Sequence, residues 1–257
     1  MEEIDQGFSE TVAILLGRKL TGIKQYEDWL FRHVKGRVQK KKSKISGSTV
    51  YVPSVDFYNM LGNNIVTLSE SLKLGEKDKL SEKEVETLTL SNASGALSKI
   101  KTTTPEIIYS ENIDTHESSN YGPTQHCYKI TFTWFSKFMA CGFWGRTSEH
   151  AYGYANIVDC AFCVKCYSST KLMRCFEVND SNNCTDCYFC HNCEDLKDCM
   201  FCFNTKAKRY AIGNVEIGKE AYLKIKKMMQ AQIADELEKT KALRHDIYNI
   251  GRKAGSV

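Results

Sequence analysis

Ten cysteines lie between residues 160 and 202, and their type and spacing are those of residues that could bind a metal ion or react as thiols. Cys160-x2-Cys163 and Cys184-x2-Cys187, with positions 164–183 between them, satisfy the spacing of a zinc ribbon. The pairs at 163–166 and 187–190 offer an equivalent set of four sulfurs. Because a dedicated metal site needs one defined ligand set, this redundancy favours a packed lining of thiols and leaves zinc as the alternative.

A period of three residues places these cysteines on one track of the chain. From Ile157 to Thr205 every third residue is uncharged and non-aromatic, and 11 of the 12 cysteines share this phase, with only Cys141 out of step. The same track holds Ser, Leu and Val, which can fill space but are not zinc ligands. We therefore predict that these side chains point into a narrow lumen. The predicted cysteine ladder comprises Cys160, Cys163, Cys166, Cys175, Cys184, Cys187, Cys190, Cys193, Cys199 and Cys202.

A second, longer period superimposes residues 157–180 on 181–204, and a fixed repeat of this kind is typical of a solenoid. The length of this repeat suits one coil of a parallel β-helix. Neither a strand nor an α-helix has a period of three, so we favour short strand arcs with a bend after each inward residue over a polyproline-like winding. The predicted fold is mainly β with flanking α: a cysteine-lined parallel β-solenoid with N-terminal helices and a long C-terminal helix.

Composition narrows the classes of protein. A hydrophobic content of 42% and a charged content of 26% are ordinary for a globular chain. No apolar run approaches the ~20 residues of a transmembrane helix, and the N-terminus lacks a signal-peptide pattern. These features predict a cytoplasmic protein at synthesis, with no membrane partner. In that compartment, reduced thiols or metal are favoured over disulfides, and stacked side chains would strain a disulfide.

Four segments are expected along the chain: an N-terminal helical or mixed region (1–90), a linker rich in Ser, Thr and Lys (91–104), the solenoid (105–214), and a C-terminal amphipathic helix (215–257). Hydrophobic spacing and turn residues predict the elements within them. These are helices over 8–20, 23–39 and 219–249, a short helix after a Ser81–Glu84 capping box, and strands over 49–57, 105–110 and 208–214.

The densest run of positive charge follows the second predicted helix. It comprises Lys35, Arg37, Lys40, Lys41, Lys42 and Lys44. The preferred interpretation is a solvated helix C-terminus, where the helix dipole favours cations. The alternative is an arm that contacts nucleic acid or a partner protein. The net charge of +4 is too small to decide between them.

Catalysis finds little support in the sequence. A reactive cysteine needs a partner that lowers its pKa, and His191 is out of phase with Cys190, so the two side chains should point to opposite sides. We expect His126, His150 and His191 to be surface residues. The Cys160–Cys166 run lacks the ending of a ferredoxin motif, and no P-loop, GxGxxG or HExxH is present. No enzymatic activity, small-molecule substrate or cofactor is predicted, apart from the zinc alternative.

Several aromatic residues fall outside the inward phase and must be covered. They are Phe162, Tyr167, Phe176, Tyr188, Phe189, Phe201 and Phe203. Contiguous exposed apolar patches usually mark interfaces. We expect either that the N-terminal region and the C-terminal helix cover them, or that they form an oligomer interface.

Residues 181–225 combine stacked Cys-x2-Cys units with a terminal Tyr-x-Ile-x-Asn strand at 210–214 and a Lys-Glu-x-Tyr helix start at 219–222. This combination resembles a family of cysteine-rich repeat proteins found in large tailed phages and in environmental archaeal and bacterial genomes. The resemblance covers at most residues 157–225. It implies no established activity, and by association it suggests a role in a virion or another assembly.

Three hypotheses follow. The preferred one is a non-enzymatic structural or assembly protein, a virion component that uses the solenoid as a rigid scaffold and binds other protein subunits. The alternative is a zinc-binding module that contacts nucleic acid through residues 35–44. The third is a thiol redox protein, which would need a cysteine with a depressed pKa.

Overall fold

The computed structural model describes residues 1–252 and contains two compact units. The first unit combines Met1–Lys35 with residues 109–252, and the second is Gly36–Ile108. The helices are α1 (Glu2–Leu16), α2 (Glu27–Phe31), α3 (Asp56–Asn59), α4 (Leu68–Lys77), α5 (Glu82–Glu86), α6 (Ala93–Leu97) and α7 (Lys219–Thr240), with 3-10 turns at Ile23–Tyr26 and Lys35–Arg37. The strands are β1 (Val38–Lys42), β2 (Thr49–Pro53), β3 (Asn112–His116), β4 (Ser119–Tyr121), β5 (Thr124–Trp134), β6 (Ser136–Arg146), β7 (Glu149–Tyr152), β8 (Ala155–Val158), β9 (Ala161–Thr170), β10 (Met173–Asn179), β11 (Thr185–Glu194), β12 (Lys197–Met200), β13 (Phe203–Lys206), β14 (Arg209–Ile212) and β15 (Val215–Glu216).

Strands β3 to β14 form a parallel β-solenoid of about eight coils. The register between neighbouring coils is constant, as in Cys163↔Cys175 and Cys187↔Cys199. The predicted fold class is therefore confirmed. The predicted coil length was wrong, because the similarity of residues 157–180 to 181–204 spans two coils, and each coil is half as long as the repeat.

The period of three arises from the backbone. Every third residue of the coils except Pro123 adopts a left-handed conformation, and each such residue immediately precedes an inward-pointing one; Asp186 (φ 57), Phe189 (φ 52), Asn192 (φ 52) and Asp195 (φ 55) bend one coil. Four bends divide each coil into four sides of three residues. Asn and Asp tolerate this conformation best among non-glycine residues, which fits their frequency at these corners.

Substitution at one corner should expose the cost of this bend. Asn192→Val is expected to lower the free energy of unfolding by about 1–2 kcal/mol, since a β-branched side chain is strained in the left-handed region. The control is Lys206→Val, which puts the same residue on an exposed strand position. Urea unfolding of both variants gives the comparison, and an equal loss would contradict a strained corner.

One side of the solenoid is apolar on its outside and carries the helices. Its outward residues recur once per coil and are Tyr128, Ala140, Tyr152, Val164, Phe176, Tyr188, Met200 and Ile212. Helix α1 places Phe8 against Tyr152, with ring centroids 5.3 Å apart. On α7, Gln230 donates a hydrogen bond to the Tyr188 hydroxyl at 3.0 Å. The helices of this unit therefore cover most of the out-of-phase aromatic residues.

The ends of the predicted helices differ from the structure. The helix predicted over 23–39 ends at Phe31, because residues 38–42 pair with Thr49–Pro53 as a hairpin. Helix α7 begins as predicted but ends at Thr240, where Lys241 adopts a left-handed conformation. The chain then folds back so that Leu243 and Ile247 are buried in the first unit.

The second unit contains the hairpin and α3 to α6 around a small set of buried residues, Val50, Val52, Ile65 and Val66. The capping box of Ser81 and Glu84 is present at α5, as predicted. The predicted linker 91–104 instead contains α6, and Thr103 bridges Ile65. The unit boundaries thus fall near residues 35 and 109, because residues 1–35 pack with the solenoid.

The C-terminal end of the solenoid is capped by the Asn214 side chain and by a short antiparallel strand. The Asn214 amide donates to the carbonyl of Phe203 at 2.8 Å and accepts from its N–H at 2.9 Å. Strand β15 pairs antiparallel with β14 across the same end. These bonds satisfy backbone groups that would otherwise template edge-to-edge pairing.

Candidate functional site: the lumen and the open surface

All ten residues of the predicted cysteine ladder are buried and line the lumen of the solenoid. Every cysteine carries a free thiol. Cys127 lies on the same inner track, and the out-of-step Cys141 packs on the outer apolar side with Ala140 and Tyr152. The period of three therefore identified which cysteines point inward.

The register between coils decides which thiols are neighbours. Cys163, Cys175, Cys187 and Cys199 stack in one column on four consecutive coils. The coil from 184 to 193 places cysteine at all four inward positions. The two Cys-x2-Cys pairs at 160–163 and 184–187 lie two coils apart, with the coil of Cys175 between them, so they cannot hold one zinc ion. Within residues 1–252, no group of three or more Cys, His, Asp or Glu side chains could hold a metal ion.

Each lumen thiol is hydrogen-bonded to the solenoid wall. Cys187 Sγ donates to the carbonyl of Thr185 at 3.3 Å, two residues back in its own coil. Serine residues at inward positions make the equivalent bond, with Ser136 donating to Trp134 at 2.8 Å and Ser181 to Asn179 at 2.9 Å. Cysteine and serine at inward positions thus make the same hydrogen bond to the wall, and cysteine also buries a larger and less polar atom.

The lumen opposes ionisation of most of its thiols. Burial raises the pKa of Cys163 and Cys190 well above the usual value, and raises the pKa of Cys193 to about 11. Cys175 and Cys202 are the exceptions. Burial also raises the pKa of Cys175, but hydrogen bonds from Cys163 and Cys187 outweigh it and hold that pKa well below the usual value. Hydrogen bonds from Cys190 and Cys199 lower the pKa of Cys202 to about 3. A reactive cysteine needs an accessible thiolate near a cation, which these thiols lack.

The three histidines considered as catalytic candidates lie on the outside of the wall. His126 Nδ1 is 3.2 Å from an Asp114 oxygen, and its ring stacks on Phe138. His150 continues this stack, and burial lowers its pKa. His191 Nδ1 lies 3.0 Å from the Asn179 amide, whereas Cys190 points into the lumen.

Four of the six basic residues, Lys40, Lys41, Lys42 and Lys44, lie on the hairpin of the second unit, and Arg37 ends the 3-10 turn that precedes it. Lys40 faces Tyr51 across the hairpin, with its Nζ 5.5 Å from the ring centroid, and Lys42 donates to the Thr49 hydroxyl at 3.1 Å. Lys44 donates to the Asn64 side chain. Lys35 belongs to the first unit, 3.8 Å from Asp28. The helix-terminus interpretation was therefore wrong for the four hairpin residues, whereas Lys35 and Arg37 lie in a 3-10 turn.

Two adjacent sides of the solenoid carry mainly exposed and half-buried polar residues and form what we term the open surface. Their outward residues are Trp134, Arg146, Val158, Thr170, Asn182, Glu194 and Lys206 on one side, and Lys137, Glu149, Ala161, Met173, Thr185, Lys197 and Arg209 on the other. Polar residues on successive coils form hydrogen bonds with one another; for example, the Thr170 hydroxyl donates to the Asn182 side chain at 2.6 Å. An open groove of about 440 Å³ lies on this surface and reaches Ser136, Ser148 and Cys160.

A buried ion pair is a feature that the sequence did not reveal. Lys165 and Glu177 occupy corners on adjacent coils, both are 0% exposed, and Lys165 Nζ lies 3.7 Å from Glu177 Oε1. Lys165 also donates to the carbonyl of Trp29 at 3.1 Å, and Glu177 accepts from the N–H of Ile247 at 3.1 Å. The sequence does contain a signal for this ion pair, namely opposite charges one coil apart. That signal can be recognised only when the coil length is known.

Comparison with known proteins assigns no family: no protein-family model and no curated protein sequence matches this chain. Within residues 1–252, none of the helices combines the length and the apolar character that crossing a membrane would require.

Proposed function

We propose that this chain is a non-enzymatic structural protein that uses the solenoid as a rigid scaffold and docks into a larger assembly, such as a tailed-phage virion, through the open surface. The observation that carries the proposal is the regular array of polar residues on two adjacent sides, fixed by hydrogen bonds between coils. A surface ordered in this way loses little conformational entropy when a partner binds.

The size of the open surface suits a protein partner. Three strand residues make each side about 10 Å wide, and seven coils spaced ~4.8 Å apart make it about 34 Å long. Two such sides give roughly 680 Å², near the ~800 Å² that each partner contributes to a standard interface. The outward residues of the open surface include five basic and two acidic side chains, so that both signs of charge are available to a protein partner.

Sedimentation of the chain in the cells that produce it tests this function. We expect the wild type to co-sediment with large particles at a fixed copy number. The variant Met173→Glu, at an exposed position on the open surface, should move to the monomer fraction. Leu223→Glu, at an exposed position of α7, is the matched control and should remain in the particles. If wild type and Met173→Glu both sediment as monomers, the assembly function is wrong.

Nucleic-acid binding through the hairpin is the second candidate. The observation that favours it is the shared face of Lys40 and Lys42, which aligns two cations with Tyr51 and Thr49. Cations spaced along a β-ribbon can contact successive phosphates, and binding of this kind weakens as salt rises.

The charge-reversed hairpin tests this candidate. Lys40→Glu with Lys42→Glu should weaken binding to a single-stranded oligonucleotide and reduce the log–log salt slope by about 2, one for each lost phosphate contact. Fluorescence anisotropy at several salt concentrations measures both quantities. Lys77→Glu with Lys79→Glu reverses the same charge elsewhere in the second unit and should change neither. Equal effects of the two double variants would show that the hairpin is not a specific nucleic-acid site and that it contributes only general positive charge.

A further inference from the structure

We propose that the lumen binds Cu(I) ions in two-coordinate sites between cysteines of adjacent coils. Four pairs of cysteines are stacked one coil apart: Cys163–Cys175, Cys175–Cys187, Cys187–Cys199 and Cys190–Cys202. In the proposed scaffold function these thiols only fill the lumen, whereas their spacing also fits a soft metal ion.

The geometry of the stack selects the coordination number. Parallel, in-register side chains lie ~4.8 Å apart, and two metal–sulfur bonds of about 2.3 Å placed end to end span ~4.6 Å. An ion between two stacked sulfurs therefore fits without widening the coil. Sulfurs in a line cannot surround a tetrahedral ion, which agrees with the absence, within residues 1–252, of any group of three or more metal-binding side chains.

The chemistry of the lumen selects the metal. Soft thiolate ligands favour Cu(I), whereas zinc in proteins almost always takes four ligands. The inward neighbours of these cysteines include Val178, Leu196 and Ala211, which cannot compete for the ion. Cys160 lines the groove on the open surface and contacts Cys163, so a thiol relay connects solvent to the stacked column.

Charge balance favours filling the four-cysteine column as a unit. One Cu⁺ between two sulfurs displaces two protons to solvent and leaves a bis-thiolate of net charge −1. Three Cu⁺ ions on Cys163, Cys175, Cys187 and Cys199 displace four protons and leave the same net charge of −1. Because burying a charge is the main cost, three ions spread over four thiolates carry that cost only once.

Copper counting on the full chain tests the site. Reduced protein is titrated anaerobically with Cu(I) against a chromophoric Cu(I) chelator, and bound ions are counted by native mass spectrometry. We expect four ions in the wild type and four in Cys141→Ser, whose thiol lies outside the lumen. Cys175→Ser should retain two, because it removes two of the four intervals. Cys199→Ser should retain three, and it serves as the second variant if Cys175→Ser fails to fold.

Two further measurements separate lumen sites from copper bound to unfolded thiols. Cu(I) should raise the Tm of the wild type, as any ligand of the folded state does, and X-ray absorption should show two sulfur neighbours per copper. Failure to retain copper against the chelator, equal copper in Cys175→Ser and wild type, a lowered Tm, or nitrogen ligation would each overturn the proposal.

Discussion

Replacing Lys165 by methionine is expected to lower the free energy of unfolding by about 3–5 kcal/mol at pH 7, because it leaves the Glu177 carboxylate buried without its cation. The double variant Lys165→Met with Glu177→Leu should recover most of that loss. Two apolar side chains of similar size carry no desolvation cost, and such replacements are often neutral or stabilising. Removing one partner should therefore cost much more than replacing both.

An exposed pair provides the matched control. Lys137 and Glu149 also lie on adjacent coils, with Lys137 Nζ 2.9 Å from the carboxylate, but both side chains are about half exposed. Lys137→Met should cost less than about 1 kcal/mol. Urea unfolding of the three variants measures the difference, and equal losses from the two lysine substitutions would show that burial does not set the strength of these pairs.

The pH dependence of stability gives a second readout of the same pair. Burial raises the pKa of Glu177 to about 7, from 4.5. Since the folded state then holds the proton more tightly than the unfolded state, the contribution is fully present below about pH 4.5 and is lost as the pH rises through 7. Over that window the change is roughly 3 kcal/mol. Glu177→Gln should therefore flatten the stability curve between pH 5 and 7, and an unchanged slope would assign it to other groups.

The lumen could be predicted from the sequence because its rule is local. A narrow solenoid excludes charge and most rings from every inward position, so the track from Ile157 to Thr205 is visible without knowing which coil lies beside which. The strand at 208–214 and the start of α7 were also predicted correctly for local reasons. Upstream, the lumen also holds a large side chain: Tyr154 points inward, and it fits because position 142 is glycine, where a Cβ would lie 2.0 Å from the Tyr154 ring.

The outer surface could not be predicted because it depends on the coil length. With coils of the predicted length, the aromatic residues fall on no single side, and helix cover and an oligomer interface could not be distinguished. With the observed coils, which are half as long, one column from Tyr128 to Ile212 is apolar throughout and is the side that the helices cover. The error came from identities such as Cys160 and Cys184, which repeat on alternate coils because cysteine and leucine alternate in that column.

The hairpin was missed for a different reason. Residues 38–42 have spacing and charge compatible with a helix end, and only pairing with Thr49–Pro53 makes them a strand. Cross-strand contacts therefore overrode the local preference, as often happens for short polar segments. The location of the basic residues, and with it the nucleic-acid hypothesis, depended on that long-range choice.

The lumen itself should discriminate sharply between substitutions at Cys187, which is 0% exposed at the centre of the all-cysteine coil. Cys187→Ser should cost no more than about 1–2 kcal/mol, because serine makes the same bond to the wall at Ser136 and Ser181. Cys187→Asp should cost several kcal/mol, since it places a carboxyl group where only carbonyls and thiols surround it. Thermal and urea unfolding rank the variants, and equal losses from serine and aspartate would contradict a packing role for the thiol.

Cys187→Phe tests the width of the lumen and offers its own rescue. The ring must displace neighbours in a close-packed core, and we expect a loss of about 3 kcal/mol or failure to fold. Tyr154 is accommodated because Gly142 occupies the inward position one coil earlier. By the same geometry, Cys175→Gly should make room for phenylalanine at 187, so the double variant Cys175→Gly with Cys187→Phe should be more stable than Cys187→Phe alone. If the double variant is instead less stable than Cys187→Phe by the full cost of Cys175→Gly alone, the residue one coil earlier does not limit the size of the side chain at position 187.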